Sequence, residues 1–214
     1  MIKTAHIVLG APDPDALFPT PKETDVIIGV DGGAVECYKR GIPIDLALGD
    51  FDSITLEEKK QLAVYTDRLE EFKADKDDTD AELAISRAWE TFNPEQMILY
   101  NWMGGRVDHL LSLLFFAYQP RFESILEKLI FKNKQNTLSF LKPGQHRIQK
   151  EEDKTYMSVI GMTPVTNLTL SGMKYLLSEA TYTYPMALVS NEILTHDAQL
   201  SFEKGILAVI QSGD

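Results

Sequence analysis

The chain has 214 residues, with 32 acidic against 21 basic side chains, a formal net charge of −11 and a single cysteine, Cys37. An apolar content of 44% and a charged content of 25% are those of an ordinary globular protein, and no stretch approaches a membrane span. The acidic balance argues against a nucleic-acid partner, which needs a basic face, and one cysteine cannot form an internal disulfide. The charge is uneven: residues 1–133 hold 24 acidic and 14 basic side chains.

In chain order, residues 5–10 (AHIVLG) read as a buried first strand rather than part of a signal peptide, which gives the expectation of a cytoplasmic protein. A loop rich in Pro and Asp follows. Residues 25–30 (DVIIGV) read as a second strand ending in Asp31-Gly32-Gly33-Ala34, and a helix then runs through Tyr38 and stops at Gly41. Leu46–Leu48 is a third strand, followed by Gly49, Asp50 and Asp52. Thr55 and Glu58 have capping-box spacing and open a helix to about Tyr65. Residues 69–73 make a weak fourth strand before Asp75-Lys76-Asp77-Asp78-Thr79-Asp80. Thr79 and Glu82 repeat the capping-box spacing, and Ala81, Ile85, Ala88, Trp89 and Phe92 fall on one face of the helix that follows. Residues 97–102 form a fifth strand, then Gly104-Gly105-Arg106-Val107-Asp108-His109 leads to an apolar helix over Leu110–Tyr118. Residues 128–132 form a sixth strand.

Strands alternating with helices predict a mostly parallel sheet with helices on both faces. After Asn133 the pattern becomes short segments rich in Thr, Val, Ile and Tyr between turns: 137–141, 146–149, 156–160, 167–170, 187–189, 198–202 and 206–210. This predicts a small all-β sandwich or jelly-roll-like unit. The expected division is an α/β domain over 1–133 and an all-β domain over 134–214.

Four polar clusters each follow a strand and precede a helix: 31–34, 50–53, 75–80 and 104–109. In a parallel sheet these loops emerge at the carboxyl edge, where ligands of open α/β sheets bind. Each cluster has a plain alternative. Asp31-Gly32-Gly33 reads equally as a turn, and aspartates at 78 and 80 suit a helix N-terminus. Gly104-Gly105 lets backbone N–H groups approach a phosphate, and Arg106 can add a bidentate contact, yet a glycine turn with a surface arginine explains the same residues. Trp89 reads as core by its spacing; Trp102 stands between core and ligand stacking. Side-by-side carboxylates call for a cation. Together the clusters suggest Mg²⁺–polyphosphate chemistry on a frame with neither a Walker loop nor a dinucleotide fingerprint.

In this order Asp31-Gly32-Gly33-Ala34, Gly49-Asp50-Phe51-Asp52-Ser53, Lys76-Asp77-Asp78-Thr79-Asp80, Gly104-Gly105-Arg106-Val107-Asp108-His109 and Ser190-Asn191-Glu192 resemble the motif series of the thiamine pyrophosphokinase family in its bacterial form. The resemblance covers nearly the whole chain. It implies transfer of the pyrophosphoryl group of ATP to the hydroxyl of thiamine, giving AMP and thiamine diphosphate, in a homodimer with its active site near the subunit interface. It implies Asp50, Asp52 and Asp80 as Mg²⁺ ligands. Asp77, Asp80 and Arg106 are the catalytic candidates, the proton acceptor among the aspartates being left open. Asp31, Gly32, Gly33, Lys76, Gly104, Gly105, Arg106 and Asp108 would contact nucleotide and substrate, with Ser190 and Asn191 contributing from the β domain. The family commonly has Gly and Thr ahead of Gly-Gly-Arg, where this chain has Asn101-Trp102-Met103. Animal members place a tryptophan of the β domain against thiamine; this β domain has none, so Tyr182, Tyr184 or another apolar residue would stack. Two alternatives remain: a pyrophosphokinase acting on another small alcohol such as a pterin, and a non-catalytic Mg–nucleotide sensor.

Overall fold

The computed structural model describes residues 2–13, 16–72 and 78–213. The chain divides into two compact units, one of residues 1–114 and 131–134, the other of residues 115–130 and 135–214.

In the first unit, β1 (Thr4–Val8), β2 (Val26–Val30), β3 (Leu46–Gly49), β4 (Leu69–Glu71) and β5 (Gln96–Tyr100) lie with β6 (Leu129–Lys132), whose last two residues belong to this unit, in the order β6-β5-β1-β2-β3-β4. The pairings β5–β1, β1–β2, β2–β3 and β3–β4 are all parallel. Every residue of β1, β2 and β3 is buried, as expected of strands covered on both faces. One face is covered by α1 (Gly32–Lys39) and α2 (Leu56–Tyr65), whose Ala34, Val35, Cys37 and Leu62 join Val8, Ile27 and Ala47 in one apolar cluster. The helix α3 (Asp80–Phe92) packs on β1, β2 and β3.

Both expected capping boxes are present. Thr55 Oγ1 accepts from Glu58 N at 3.2 Å, and Thr79 Oγ1 accepts from Glu82 N at 3.3 Å, with each glutamate bonded back to its threonine. The buried residues of α3 are Glu82, Ala84, Ile85 and Ala88. Ile85 and Ala88 of the expected face are buried, while Ala81, Trp89 and Phe92 on it are only half-buried. Glu82 is buried as part of the cap. The helix expected from Leu110 starts earlier, as α4 (Val107–Leu114), and gives way to a 3₁₀ turn over Phe115–Tyr118. Among the described residues no helix is long and apolar enough to cross a membrane.

The second unit is an antiparallel sandwich. One of its sheets joins β12 (Met186–Asn191), β9 (Tyr156–Gly161), β14 (Leu207–Ser212) and β7 (Asn136–Leu141) in that order. The other joins β11 (Leu177–Tyr182), β10 (Val165–Ser171), β13 (Asp197–Phe202) and β8 (Gly144–Gln149). Leu141, Met157, Val159, Leu207 and Val209 from the first meet Val165, Leu168, Leu170, Leu200 and Phe202 from the second in a single core. The strand β11 is absent from the sequence reading: it is an edge strand, mostly exposed, with Glu179 at a φ of 48° and irregular register against β10.

Candidate active site

The carboxyl edge of the parallel sheet gathers aspartates from three separate elements. Asp31 follows β2, Asp50 follows β3, and Asp80 opens α3. One carboxylate oxygen from each lies within 4.8 Å of the others. Asp31 is shaped for this place. Its φ of 46° is in the left-handed region, an uncommon conformation for a side-chain-bearing residue. It heads α1 without capping it; instead Oδ1 accepts from Phe51 N at 3.0 Å, across the gap to the β3 loop.

Electrostatics follow from this crowding. The Asp31 carboxyl is pushed up to about 7, by burial first and then by its hydrogen-bonded and charged neighbours Asp80 and Asp50, against the lowering effect of the Phe51 N–H. Asp52 is exposed; its N–H donates to Asp50 Oδ1 at 3.1 Å, and the Asp50 charge raises its pKa. The structure therefore brings Asp31, Asp50 and Asp80 together, with Asp52 beside Asp50. Lys76 and Asp77 lie outside the described residues.

Arg106 and Asp108 are exposed and paired: Nε donates to Oδ1 at 3.1 Å and an Nη to Oδ2 at 2.6 Å. The guanidinium holds Asp108 down to about 2. Gly104 and Gly105 precede them with φ of 119° and 73°, and Gly32 and Gly33 begin α1.

In the sandwich, Asn191 is buried and its amide is bonded to neighbouring backbone. Its Oδ1 accepts from Tyr175 N and Glu192 N, both at 2.9 Å, and its Nδ2 donates to Tyr175 O at 2.8 Å. Ser190 beside it is exposed, with a φ of 59° and its N–H donated to Ser158 Oγ. Asn191 thus fastens the backbone of Tyr175, whose ring is 60% exposed. Tyr182 is half-buried against the sandwich core, whereas Tyr184 is 63% exposed. Tyr175 is a candidate that the sequence reading did not name; exposure of an aromatic held by a buried amide has no signature in residue order.

The sequence matches the family described as "Thiamin pyrophosphokinase, catalytic domain" over residues 20–128 and "Thiamin pyrophosphokinase, vitamin B1 binding domain" over residues 145–207. It is 37% identical to a thiamine pyrophosphokinase of Bacillus subtilis (strain 168) over 219 aligned positions, covering all of both chains. The chain belongs to the thiamine pyrophosphokinase family. Solved structures agree. A thiamin pyrophosphokinase family protein from Enterococcus faecalis superposes with a TM-score of 0.94 at 37% identity, covering 99% of this chain and 100% of the other. A thiamine pyrophosphokinase structure from Bacillus subtilis gives 0.89 at 36% identity with the same coverage. Within the family's catalytic match lie Asp31, Asp50, Asp80 and the Gly104–Asp108 loop; within its vitamin B1 binding match lie Tyr175 and Asn191.

Proposed function

We propose that this chain transfers the pyrophosphoryl group of ATP to the hydroxyl of thiamine, releasing AMP and thiamine diphosphate. The observation that carries the reading is the convergence of Asp31, Asp50 and Asp80 within 4.8 Å in a member of this family. Three hard oxygen donors crowded at one edge suit a Mg²⁺ ion, which prefers carboxylates, water and phosphate oxygens. Asp50 and Asp80 would hold it with Asp31, and Asp52, next to Asp50, would be a further carboxylate for it. When bound, the ion supplies charge neutralisation to the polyphosphate.

The chain's own groups supply the rest. The oxygen of the thiamine hydroxyl forms a bond to the β-phosphorus, the bond from that phosphorus to the α–β bridging oxygen breaks, and AMP leaves with the electron pair. The hydroxyl proton goes to an aspartate, Asp77 or Asp80 being the candidates. Arg106, once released from Asp108, stabilises charge developing on the phosphates, and the Gly104-Gly105 backbone lets them approach. Positioning dominates such transfers. Residues 1–133 would form the Mg–nucleotide catalytic domain, with Gly32, Gly33 and Lys76 among its ligand contacts. Residues 134–214 would take thiamine and make the dimer. Tyr175 is the stacking surface we favour, held by Asn191 next to Ser190. A homodimer is supported by the apolar side chains exposed on the second unit, Tyr175, Leu176, Tyr184, Val189 and Leu194. We place the enzyme in the cytoplasm, where its co-substrate ATP is made.

The test is an assay of AMP release with ATP, Mg²⁺ and thiamine, against a control without thiamine. AMP and thiamine diphosphate formed in equal amounts, only with thiamine present, are the expected result. ADP as product, or AMP formed with a pterin alcohol and not with thiamine, would overturn it.

A further inference from the structure

The strand order β6-β5-β1-β2-β3-β4 reverses direction between β1 and β5. That is the topological switch point, and the crevice outside the carboxyl ends of those two strands is where open α/β sheets take ligands. Just past β1 and β5 the chains are tied by Leu9 N donating to Tyr100 O at 3.0 Å. The next two residues of the β5 side are Asn101, with a φ of 54° and 3% exposure, and Trp102, with 6% exposure and its ring edge-on to Phe131.

Among the described residues, neither Asn101 Oδ1 nor Trp102 Nε1 has a hydrogen-bond partner. A buried polar atom left unpaired is costly, and native proteins keep few of them. Here there are two, of opposite sense, an acceptor and a donor on consecutive residues at the switch point. A trio of aspartates for the polyphosphate stands past β2 and β3, on the other side of β1 from this pair.

We propose that Asn101 and Trp102 read the edge of a ring carrying an amino group beside an acceptor nitrogen. Asn101 Oδ1 accepts from the amino group and Trp102 Nε1 donates to the ring nitrogen. The inference rests on the function proposed above, whose two substrates both present this edge: the adenine of ATP and the aminopyrimidine of thiamine. A ring with a carbonyl beside an N–H presents the reverse pattern, setting acceptor against acceptor and donor against donor, and is rejected. Both atoms are shut from solvent in the structure. Contact with the ligand therefore entails a local rearrangement around the two side chains.

Binding separates this inference from the reaction. The chain has two tryptophans, Trp89 and Trp102, so Trp89→Phe leaves Trp102 as sole reporter. Its emission is followed on titration with Mg-ATP, Mg-ITP, thiamine and oxythiamine, the last carrying an oxo group in place of the amino group. Calorimetry on Trp102→Phe, Asn101→Gly (which suits the left-handed backbone) and Asn101→Asp (which keeps the acceptor) completes the set. We expect preference for the amino ligand of about tenfold in one pair. Trp102→Phe and Asn101→Gly should reduce it to threefold or less with the oxo ligand's affinity unchanged, while Asn101→Asp retains more of it than Asn101→Gly. Loss between ATP and ITP assigns the contact to the nucleobase; loss between thiamine and oxythiamine assigns it to the aminopyrimidine. No preference, or an unchanged preference in both pairs, overturns the inference even if thiamine diphosphate is formed. Discrimination without thiamine-dependent AMP release overturns the reaction and leaves the contact standing.

Discussion

Gly49 and Asp31 share a space that admits only one side chain: a Cβ on Gly49 would stand 1.8 Å from Asp31 Oδ1. The glycine also holds a φ of 149°. Gly49→Ala should therefore push the Asp31 carboxylate away from Asp50 and Asp80. We predict a stability loss of about 2–4 kcal/mol and loss of turnover by about 100-fold or more, read by urea denaturation and AMP release. Normal turnover in Gly49→Ala would mean that the position of Asp31 does not matter.

The proton on Asp31 makes a pH prediction. Burial and the neighbouring aspartates push its carboxyl up to about 7 in the folded protein, from the 3.8 of a free aspartate. For an acid with a raised folded pKa, the penalty for ionisation is absent below the unfolded value and complete above the folded one, so metal-free stability falls as pH rises from about 4 to about 7. Asp31→Asn keeps the acceptor for Phe51 N–H and removes the penalty. In EDTA it should stabilise the protein by about 1–2 kcal/mol at alkaline pH, less than the full shift because water still reaches the site, and by nothing near pH 4. Mg²⁺ affinity of the unaltered protein should drop as pH falls below 7, since the ion displaces the proton. Equal denaturation midpoints for the two proteins across this range would refute the assignment.

Asn191 and Tyr175 can be separated by kinetics. Asn191→Ala removes three hydrogen bonds, two to the Tyr175 backbone and one to Glu192 N. It should raise the KM for thiamine about tenfold with the KM for ATP within about twofold, and cost about 1–3 kcal/mol of stability. Equal rises in both KM values would show that the loop serves no particular substrate.

The two capping boxes give a paired test. Thr55→Ala and Thr79→Ala should each cost about 1 kcal/mol. Only the second lies beside Asp80, so Thr79→Ala should also weaken Mg²⁺ binding and lower turnover about tenfold, while Thr55→Ala leaves both as they were. Similar activity in the two variants would detach the cap from the site.

His6 lies buried in β1, with Tyr100 Oη at 3.1 Å and Asp25 Oδ2 at 3.4 Å. Burial lowers its pKa below 6.5 in spite of Asp25. A base with a lowered folded pKa supports the fold above its unfolded value, and this support is lost as pH falls below about 6.5. His6→Gln should flatten that acid-side loss, measured as denaturation midpoint between about pH 5 and 7; an unchanged slope would exclude His6 as its source.

Much of this architecture is legible in residue order because it rests on local rules. The strands of the first unit are apolar runs bounded by turn residues, and both capping boxes announce themselves by spacing. Convergence at the carboxyl edge follows from parallel connection alone. What stayed hidden depends on three-dimensional placement. Asp31 reaches Asp50 and Asp80 through a backbone angle that no motif encodes. The hold of Asn191 on the backbone of Tyr175 joins residues sixteen apart and has no motif of its own. The strand β11 buries too little for alternation to appear, and Trp89 falls on the buried face of its helix yet is only half-buried.

The path of the chain between the two units has a consequence for how they are made. It leaves the first unit after Leu114, serves the second to Ile130, returns for residues 131–134 and leaves again. No single cleavage can release either unit whole. On the ribosome the first unit must wait for its last four residues until sixteen residues of the second have already emerged. The halves are bound to a common schedule of synthesis, and shuffling them between relatives would require three crossovers where an ordinary fusion requires one.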